Sequence, residues 1–311
     1  MDFLHKPVLL NECITNLSIK PNGVYLDGTL GGAGHSLEIA KMLNEQGVLI
    51  GVDRDLDAIS VSSKRLLGVL PKVHIVNDNY KNIKDVLTKL AIDKVDGILL
   101  DLGVSSYQLD NPDRGFSYRY DAPLDMRMCT NDEITAEDVV NRYTKDDLIR
   151  IFRDYGEEKW AVRVADFIVA ERANKPIKTT FELVDVIKKA IPASARAEGG
   201  HPAKRIFQAI RIEVNGEIDS LKNAIYDAVD SLNTGGRICV ISFHSLEDRI
   251  IKEVFSDLSK GCTCPPDFPK CVCNHKKVVN ILSKKPIISS DDELDENNRA
   301  HSAKLRVAEK I

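Results

Sequence analysis

The stretch GVYLDGTLGGAGHS, residues 23–36, decides how this chain folds. It begins as a short apolar strand that ends in the acid Asp27, continues as a glycine-rich loop and leads into a helical pattern. Glycine at a strand-to-helix turn permits a positive φ and lets a ligand approach the backbone. The first N–H groups of the helix are available for hydrogen bonding. The stretch therefore predicts a nucleotide-cofactor loop at the start of an α/β unit.

Strands and helices continue to alternate after this loop. Apolar strands are predicted over 47–53, 72–76 and 95–101, and helices over 36–43, 58–67 and 83–90. Near-continuous apolar strands that alternate with helices are typical of a parallel sheet covered on both faces. The first hundred residues therefore predict an α/β, doubly wound sheet.

The alternation stops after Asp101. Residues 105–134 read as an ordered loop, and helices without intervening strands are then predicted over 136–142, 145–153, 157–172, 180–190 and 203–231. A strand signal returns at 237–243, and two further strand-like runs, 277–282 and 303–308, enclose an acidic segment, 289–296, that is predicted to be a mobile loop. This order indicates a helical module inserted between the fourth and fifth strands.

The overall charge excludes a generally basic, histone-like binder. Forty-three basic and 47 acidic residues give a net charge of −4, although a local basic patch remains compatible with that value. No apolar run approaches the length of a membrane-spanning helix, and the N-terminus lacks the apolar region of a signal peptide. We therefore expect a cytoplasmic protein with no membrane partner.

Four of the seven cysteines are clustered near the C-terminus. Cys262, Cys264, Cys271 and Cys273 fall within twelve residues, and His275 follows them. An odd cysteine total without an export signal argues against a disulfide framework. The cluster is either a structural metal site or a group of reduced thiols, and we assign no metal ligand from the sequence.

The glycine spacing separates the possible cofactors. The dinucleotide fingerprint lacks its third glycine, because the loop runs through Gly32, Gly34 and His35 to Leu37, so NAD is disfavoured. Asp53 ends the second strand, where a carboxylate can accept hydrogen bonds from both ribose hydroxyls, and Asp27 precedes the loop as a group that could hold a ligand amine. These features suit S-adenosylmethionine. Tyr80 follows the third strand and could stack on adenine or simply pack.

Two strand ends carry further candidate groups. Asp101 begins the run DLGVSS, 101–106, where an acid can reach both a methyl donor and an acceptor amine; the alternative is an ordinary Asx-type strand terminus. His244 lies in SFHSLEDR, 242–249, which opens a helix with Ser245 as the expected N-cap. His244 could position a substrate or could be structural.

A basic stretch marks the predicted insertion. Residues 186–211 contain six Lys or Arg and one acid, a charge of +5 that includes Lys204, Arg205 and Arg211. It is either a contact surface for phosphates or a solvated helix face. Arg114 and Arg127 could extend this surface. The nearby aromatic residues Phe116, Tyr118 and Tyr120 could stack on unpaired bases or fill a core.

Seven runs in order carry a family resemblance: 31–36, 100–106, 114–117, 123–128, 205–217, 242–249 and 302–309. The chain resembles the bacterial RsmH (MraW) family, which methylates N4 of a cytosine in 16S ribosomal RNA with S-adenosylmethionine. The resemblance implies a class I, Rossmann-like methyltransferase domain over 1–107 and 216–311, with an inserted substrate-recognition domain over 108–215. It implies cofactor contacts at Gly32, Ala33, Gly34, His35, Asp53, Tyr80, Asp101 and Gln108.

We therefore predict methyl transfer to cytosine N4 in 16S ribosomal RNA or the small ribosomal subunit, with Asp101 as the catalytic residue. The predicted substrate-binding residues are Arg114, Arg127, Lys204, Arg205, Arg211 and His244. One alternative is a cofactor-bound RNA-binding or ribosome-assembly factor without turnover. Another is a small-molecule methyltransferase, which the basic stretch disfavours because a free metabolite needs no surface for phosphates. The sequence does not specify an oligomeric state.

Overall fold

The computed structural model describes residues 7–197, 200–262, 264, 270, 272–273, 275–297 and 299–311. The chain divides into two compact units. The second unit is Val104–Glu217, and the described residues on either side of it form the first. The sequence placed the boundaries of the insertion at 108 and 215. That the insertion recognises substrate remains a prediction.

Strands of the first unit form one seven-stranded sheet in the order β3-β2-β1-β4-β5-β7-β6. They are β1 Val24–Asp27, β2 Val48–Asp53, β3 Lys72–Asn77, β4 Val95–Asp101, β5 Leu232–Ser242, β6 Val279–Ile281 and β7 Lys304–Lys310. Strands β1 to β5 pair in parallel, whereas β7 runs antiparallel to both β5 and β6. The structure confirms the predicted α/β doubly wound sheet.

Helices cover both faces of this sheet. They are α1 Leu10–Leu17, α2 Gly34–Met42, α3 Leu56–Arg65, α4 Ile83–Lys89, α12 Leu221–Asp230, α13 Ser245–Ser259 and α14 Asp291–Glu296. Successive residues of β4 point into different cores: Ile98 and Leu100 belong to one apolar cluster, and Leu99 belongs to the other. This two-sided burial explains why the strand sequences are almost continuously apolar.

In the first unit, one helix was not predicted and one prediction was wrong. No element was predicted for the residues of α1, which buries Cys13 and Leu17. The acidic segment 289–296 was predicted to be a mobile loop, but α14 forms there. Ser290 caps α14 by accepting the Glu293 N–H at 3.3 Å, and acids in a first turn interact favourably with the helix dipole.

No β-strand occurs among the described residues of the second unit, which is built from helices. They are α5 Ser106–Asp110, α6 Ala136–Arg142, α7 Lys145–Asp154, α8 Ala161–Asn174, α9 Thr180–Ala190, α10 Ala193–Ala197 and α11 Lys204–Asn215. The helical pattern predicted over 203–231 is divided into two helices, α11 and α12, because α11 ends at Asn215 and Gly216 follows as its C-cap. That glycine adopts φ +57°, a left-handed conformation that closes helices and favours glycine. Within the described ranges, no helix is long and apolar enough to cross a bilayer.

Candidate active site

The glycine-rich loop is fastened to the strands beside it. Gly28 donates its N–H to the Leu99 carbonyl at 2.9 Å, and Leu30 donates to the Val52 carbonyl at 3.0 Å. Ala33 then takes φ +56° and precedes α2, while Arg65 donates to the Gly32 carbonyl at 2.9 Å. The loop therefore brings the N-terminus of α2 to the carboxyl edge of the parallel strands.

Asp27 braces this loop from inside. The side chain is only 1% exposed. Its Oδ2 accepts the Ser36 hydroxyl at 2.7 Å, and its Oδ1 accepts the Thr29 N–H at 3.1 Å. Burial raises the pKa of Asp27 above its ordinary value. The proposed contact of Asp27 with a ligand amine is not supported, because the carboxyl group has almost no accessible surface.

Asp53, the predicted ribose-binding residue, also holds the loop. Its Oδ2 accepts the Gly31 N–H at 2.7 Å, and its Oδ1 accepts the Asp55 N–H at 2.9 Å. Burial raises the pKa of Asp53 to about 6. A carboxylate offers roughly four acceptor positions, so these two bonds leave acceptor capacity for a ribose diol. Ribose binding by Asp53 remains a prediction.

Asp101 is placed at the end of β4 beside the loop. Its backbone N–H donates to the Thr29 hydroxyl at 2.6 Å. Its Oδ1 is buried with no hydrogen-bond partner within the described residues, although the side chain as a whole is 28% exposed. Burial, and then the charges of Asp27 and Glu247, raise the pKa of Asp101 to about 8. Without a ligand, the neutral acid therefore predominates at pH 7.

The Nδ1 atom of His35 faces the Asp101 carboxyl group. Its Nε2 lies 3.0 Å from the Val8 carbonyl oxygen. Because a carbonyl only accepts, Nε2 carries the proton, and Nδ1, 3.9 Å from Asp101 Oδ2, is the acceptor. Burial lowers the pKa of His35, which favours this neutral form. The side chain is 6% exposed, so a cofactor contact at His35 would use its backbone.

The segment before α1 packs beside His35 and the start of α2. This contact was not predicted from the sequence. Leu9 donates its N–H to Glu293 Oε1 at 2.8 Å, joining the start of the chain to α14. A methyl group at Gly34 would lie 2.4 Å from Pro7 Cγ, so this approach requires glycine. Pairing across 284 positions leaves no local signal by which sequence reasoning could find Glu293.

At the end of β5, His244 begins α13. Its Nδ1 accepts the Glu247 N–H at 3.4 Å, and Glu247 Oε2 accepts the Phe243 N–H at 2.8 Å. The prediction of Ser245 as N-cap was wrong, because His244 and Glu247 form a capping box. Sequence reasoning missed Glu247, although an acid three residues after a polar N-cap is the usual signal. His244 Nε2 lies 3.1 Å from Glu247 Oε1 without hydrogen-bond geometry.

The two remaining predicted cofactor contacts lie in different units. Tyr80 starts a 3₁₀ turn in the first unit, and its Cβ would be 3.0 Å from a methyl group at Gly28, so it lies beside the loop. Gln108 lies in the second unit and is 4% exposed. Its side chain accepts the Ser105 N–H at 3.0 Å and completes the cap of α5. Cofactor binding by either residue remains a prediction.

In the second unit, the guanidinium groups of Arg114 and Arg127 bind other groups of the loop that contains them. Arg114 is 7% exposed, and its Nη2 donates to the carbonyls of Arg127 and Met128, each at 3.0 Å. Arg127 binds the Asp125 carboxylate through Nε and Nη2, and its Nη1 donates to the carbonyls of Thr130 and Asp132. The structure therefore gives both predicted phosphate ligands an internal role.

The basic stretch separates into paired and exposed groups. Arg211 forms a bidentate pair with Glu217, with both N–O distances at 2.9 Å, and its side chain is only 16% exposed. Lys204 and Arg205 are exposed at the start of α11, where Arg205 also donates to the Glu157 carbonyl at 3.0 Å. Lys204 and Arg205 are therefore better placed than Arg211 to meet a polyanion.

The three aromatic residues of the loop have different surroundings. Phe116 belongs to the core of the second unit. Tyr118 stacks on His201, with ring centroids 4.3 Å apart and planes 4° from parallel. Tyr120 is 49% exposed. Tyr120 is therefore the member of this set with the surface to stack on a base.

Comparison with known proteins gives a consistent result. The sequence model described as the MraW methylase family matches residues 2–311. The chain is 58% identical over 311 residues to a protein of Clostridioides difficile named ribosomal RNA small subunit methyltransferase H, with all of both chains covered. A protein of the same name from Ruminiclostridium cellulolyticum is 57% identical over 313 residues, again with both chains fully covered. A third, from Halothermothrix orenii, is 54% identical, with 99% of this chain and 98% of the relative covered. These matches confirm the family resemblance: the chain belongs to the MraW methylase family.

Proposed function

We propose that this methylase transfers the methyl group of S-adenosylmethionine to the N4 amine of a cytosine in small-subunit ribosomal RNA. The names of its relatives support the RNA class. The observation that best supports methyl transfer is that the buried Oδ1 of Asp101 has no hydrogen-bond partner among the described residues. It lies at the carboxyl edge of a doubly wound sheet, where such folds bind their ligands.

The charge of this edge fits the cofactor. Asp27 and Glu247 each raise the pKa of Asp101 through their charges, and Asp27 and Asp55 do the same at Asp53. An acidic crevice attracts a cation. When bound, S-adenosylmethionine supplies an electrophilic methyl group on a positively charged sulfur. Asp53 would hold the ribose, and the backbone from Gly32 to His35 would bind polar groups at the N-terminus of α2.

The proposed role of Asp101 follows from the chemistry of the acceptor. The N4 amine of cytosine is conjugated with the ring, so its lone pair must reorient before it can attack the methyl group. The product is transiently cationic and loses a proton to water. A carboxylate at Asp101 would orient the amine by accepting a hydrogen bond and would offset the developing charge.

Two alternatives differ from this function in what they require. A ribosome-assembly factor without turnover would bind RNA and cofactor but form no product. A small-molecule methyltransferase would not need exposed cations such as Lys204 and Arg205 at the start of α11. Since the MraW family is a methylase family, methyl transfer to RNA is the function that these observations favour.

An in vitro reaction tests the proposal. Small subunits and protein-free 16S RNA are incubated with the full chain and radiolabelled S-adenosylmethionine, and the RNA is digested to nucleosides for mass analysis. We expect N4-methylcytidine at one position. A methyl group on another atom would contradict the N4 assignment, and binding of both ligands without product would favour the assembly factor. The preferred RNA identifies free RNA or the assembled subunit as substrate.

The ribose assignment predicts a loss of cofactor affinity in Asp53→Ala. We expect binding to weaken by about 1–3 kcal/mol, because charge-assisted hydrogen bonds to a diol are lost. Calorimetry measures this loss. Because Asp53 also accepts the Gly31 N–H, the same titration is repeated with a cofactor analogue that lacks both ribose hydroxyls. Equal weakening for the analogue would show that Asp53 acts only through the loop.

The basic surface predicts a specific loss of RNA binding. We expect the double reversal Lys204→Glu, Arg205→Glu to weaken RNA binding uniformly and to reduce the slope of log K against log salt concentration by about 2. Cofactor affinity should not change. The matched control is Lys222→Glu, Lys252→Glu, which reverses two exposed lysines of the first unit. If both double variants bind RNA alike at every salt concentration, Lys204 and Arg205 form only a solvated surface.

A further inference from the structure

The connection between α13 and β6 has little burial of apolar side chains among its described residues. The two ends of the connection are joined by the Val278 N–H, which donates to the Leu258 carbonyl at 2.8 Å. Between positions 260 and 277, however, none of the described residues is buried, and none joins an apolar cluster. Burial of apolar surface therefore does not hold this part of the connection, and small coreless segments commonly rely on a metal or a disulfide instead.

Three thiols converge in this connection. The Sγ atoms of Cys262, Cys264 and Cys273 all lie within 4.8 Å of one another, and the Cys262 and Cys273 sulfurs are 3.7 Å apart. Two sulfurs that bind one tetrahedral zinc at about 2.3 Å are roughly 3.8 Å apart. A disulfide would bring them to about 2.05 Å. The observed spacing matches one edge of a zinc–thiolate tetrahedron.

Backbone amides point at two of these sulfurs. The Cys264 N–H donates to Cys262 Sγ at 3.4 Å, and the Val272 N–H donates to Cys264 Sγ at 3.3 Å. Such N–H groups stabilise negative charge on sulfur, as hydrogen bonds around metal ligands generally do. Lys260, Lys270, Lys276 and Lys277 are exposed in the same connection and offset the charge of a three-thiolate centre.

We propose that Cys262, Cys264 and Cys273 bind a zinc ion as thiolates and that this ion holds the connection between α13 and β6 together. Binding converts three thiols to thiolates and releases three protons to solvent; no sulfur is oxidised. His275 lies in the same connection and is a candidate fourth ligand, although its ring nitrogens are not among the ligand atoms that lie within 4.8 Å of one another, so it would have to approach the ion. Its Nδ1 lies 3.0 Å from the Gly261 carbonyl oxygen, and donation from Nδ1 leaves Nε2 as a lone-pair donor, as in many metal-binding histidines. Cys271, the other candidate for the fourth position, lies outside the described residues.

Metal analysis of the full chain tests this proposal directly. The protein is purified from zinc-supplemented cells, dialysed against metal-free buffer, and its metal content is measured by mass spectrometry. We expect one zinc per chain and a loss of most of it in Cys262→Ser, Cys264→Ser and Cys273→Ser. Cys129→Ser, a change in the second unit, is the matched control and should keep its zinc. His275→Ala and Cys271→Ser identify the fourth ligand.

A second set of measurements covers variants that fail to fold. Cobalt(II) added to metal-free wild-type protein should give the sulfur-to-metal charge-transfer and ligand-field bands of a tetrahedral thiolate site. Chelation should speed tryptic cleavage in the connection by about 10-fold or more, because proteolysis follows the opened population. Wild-type protein that binds neither zinc nor cobalt would overturn the proposal, and so would recovery of a Cys262–Cys273 disulfide from cells lysed with an alkylating agent present.

Discussion

Asp101→Ala is expected to reduce single-turnover methyl transfer by about 10²–10³-fold, the loss typical of removing one group aimed at a charge that develops in the transition state. RNA affinity should change far less, because the side chain would meet a single amine in a large interface. The measurement uses radiolabelled donor at saturating cofactor, so that weaker cofactor binding is not mistaken for slower chemistry. A wild-type rate in the variant would leave Asp101 as a structural residue.

Asp101→Asn separates the two possible contributions of the carboxyl group. The amide keeps its size and one acceptor oxygen but carries no charge. If Asp101 mainly orients the amine, this variant should retain part of the activity. If the negative charge offsets the cation forming at N4, it should be almost as slow as Asp101→Ala.

Because the pKa of Asp101 is raised, the pH dependence of the reaction also tests whether methyl transfer needs the charged carboxylate. Burial raises this pKa to about 8 in the free protein, so a mechanism that needs the carboxylate gives a kcat/KM for cofactor that rises with pH through that value. A bound cation favours the carboxylate, so kcat should show a lower apparent pKa. The Asp101→Asn profile should be flat in this range. An identical rise in that variant would assign the titration to another group.

Stability should respond to pH in the opposite direction. The pKa of Asp101 is raised from 3.8 to about 8 by folding, so between these values the folded chain holds a proton that the unfolded chain has lost. The protonated Asp101 side chain therefore makes its full contribution to the free energy of unfolding below about pH 4. That contribution is lost as pH rises through the folded-state pKa of about 8. Asp101→Asn should lose less stability than wild type between pH 5 and pH 9, as measured by urea denaturation.

Arg211→Ala is expected to destabilise the protein by about 3 kcal/mol, because it leaves the Glu217 carboxylate buried without its guanidinium. The two side chains are 16% and 8% exposed and are joined by two 2.9 Å hydrogen bonds. Arg205→Ala, on the same helix but exposed, is the matched control and should change stability by less than about 0.5 kcal/mol. Urea denaturation measures both variants.

RNA binding by the same pair of variants distinguishes structural from substrate-binding arginines. Under conditions in which both are folded, Arg205→Ala should weaken RNA binding and reduce its salt dependence, whereas Arg211→Ala should leave both nearly unchanged. Glu217→Gln adds a check, because it keeps an acceptor but removes the charge. A large loss of RNA affinity in folded Arg211→Ala would restore Arg211 to the substrate surface.

Local patterns were sufficient to predict two helices of the second unit. Helices α6 and α9 were predicted with their observed bounds, and each begins at a capping box, Thr135 with Asp138 and Thr179 with Glu182. The same kind of box at His244 was misread as a cap at Ser245, because histidine is an uncommon N-cap. The pattern over 203–231 failed at Gly216, since apolar periodicity continues across a break that a single left-handed residue produces.

The sequence alone determined the sheet, the helical insertion and the family, because apolar spacing and ordered motifs are local properties of the chain. Tertiary structure alone decided which charged groups are available for chemistry. Arg114 looked like a phosphate ligand until its guanidinium was found bound to the Arg127 and Met128 carbonyls. The pKa of Asp101 depends on burial and on Asp27 and Glu247, which are far away in the chain. Protonation and availability follow from desolvation and from partners that folding brings together, and no local pattern encodes either of them.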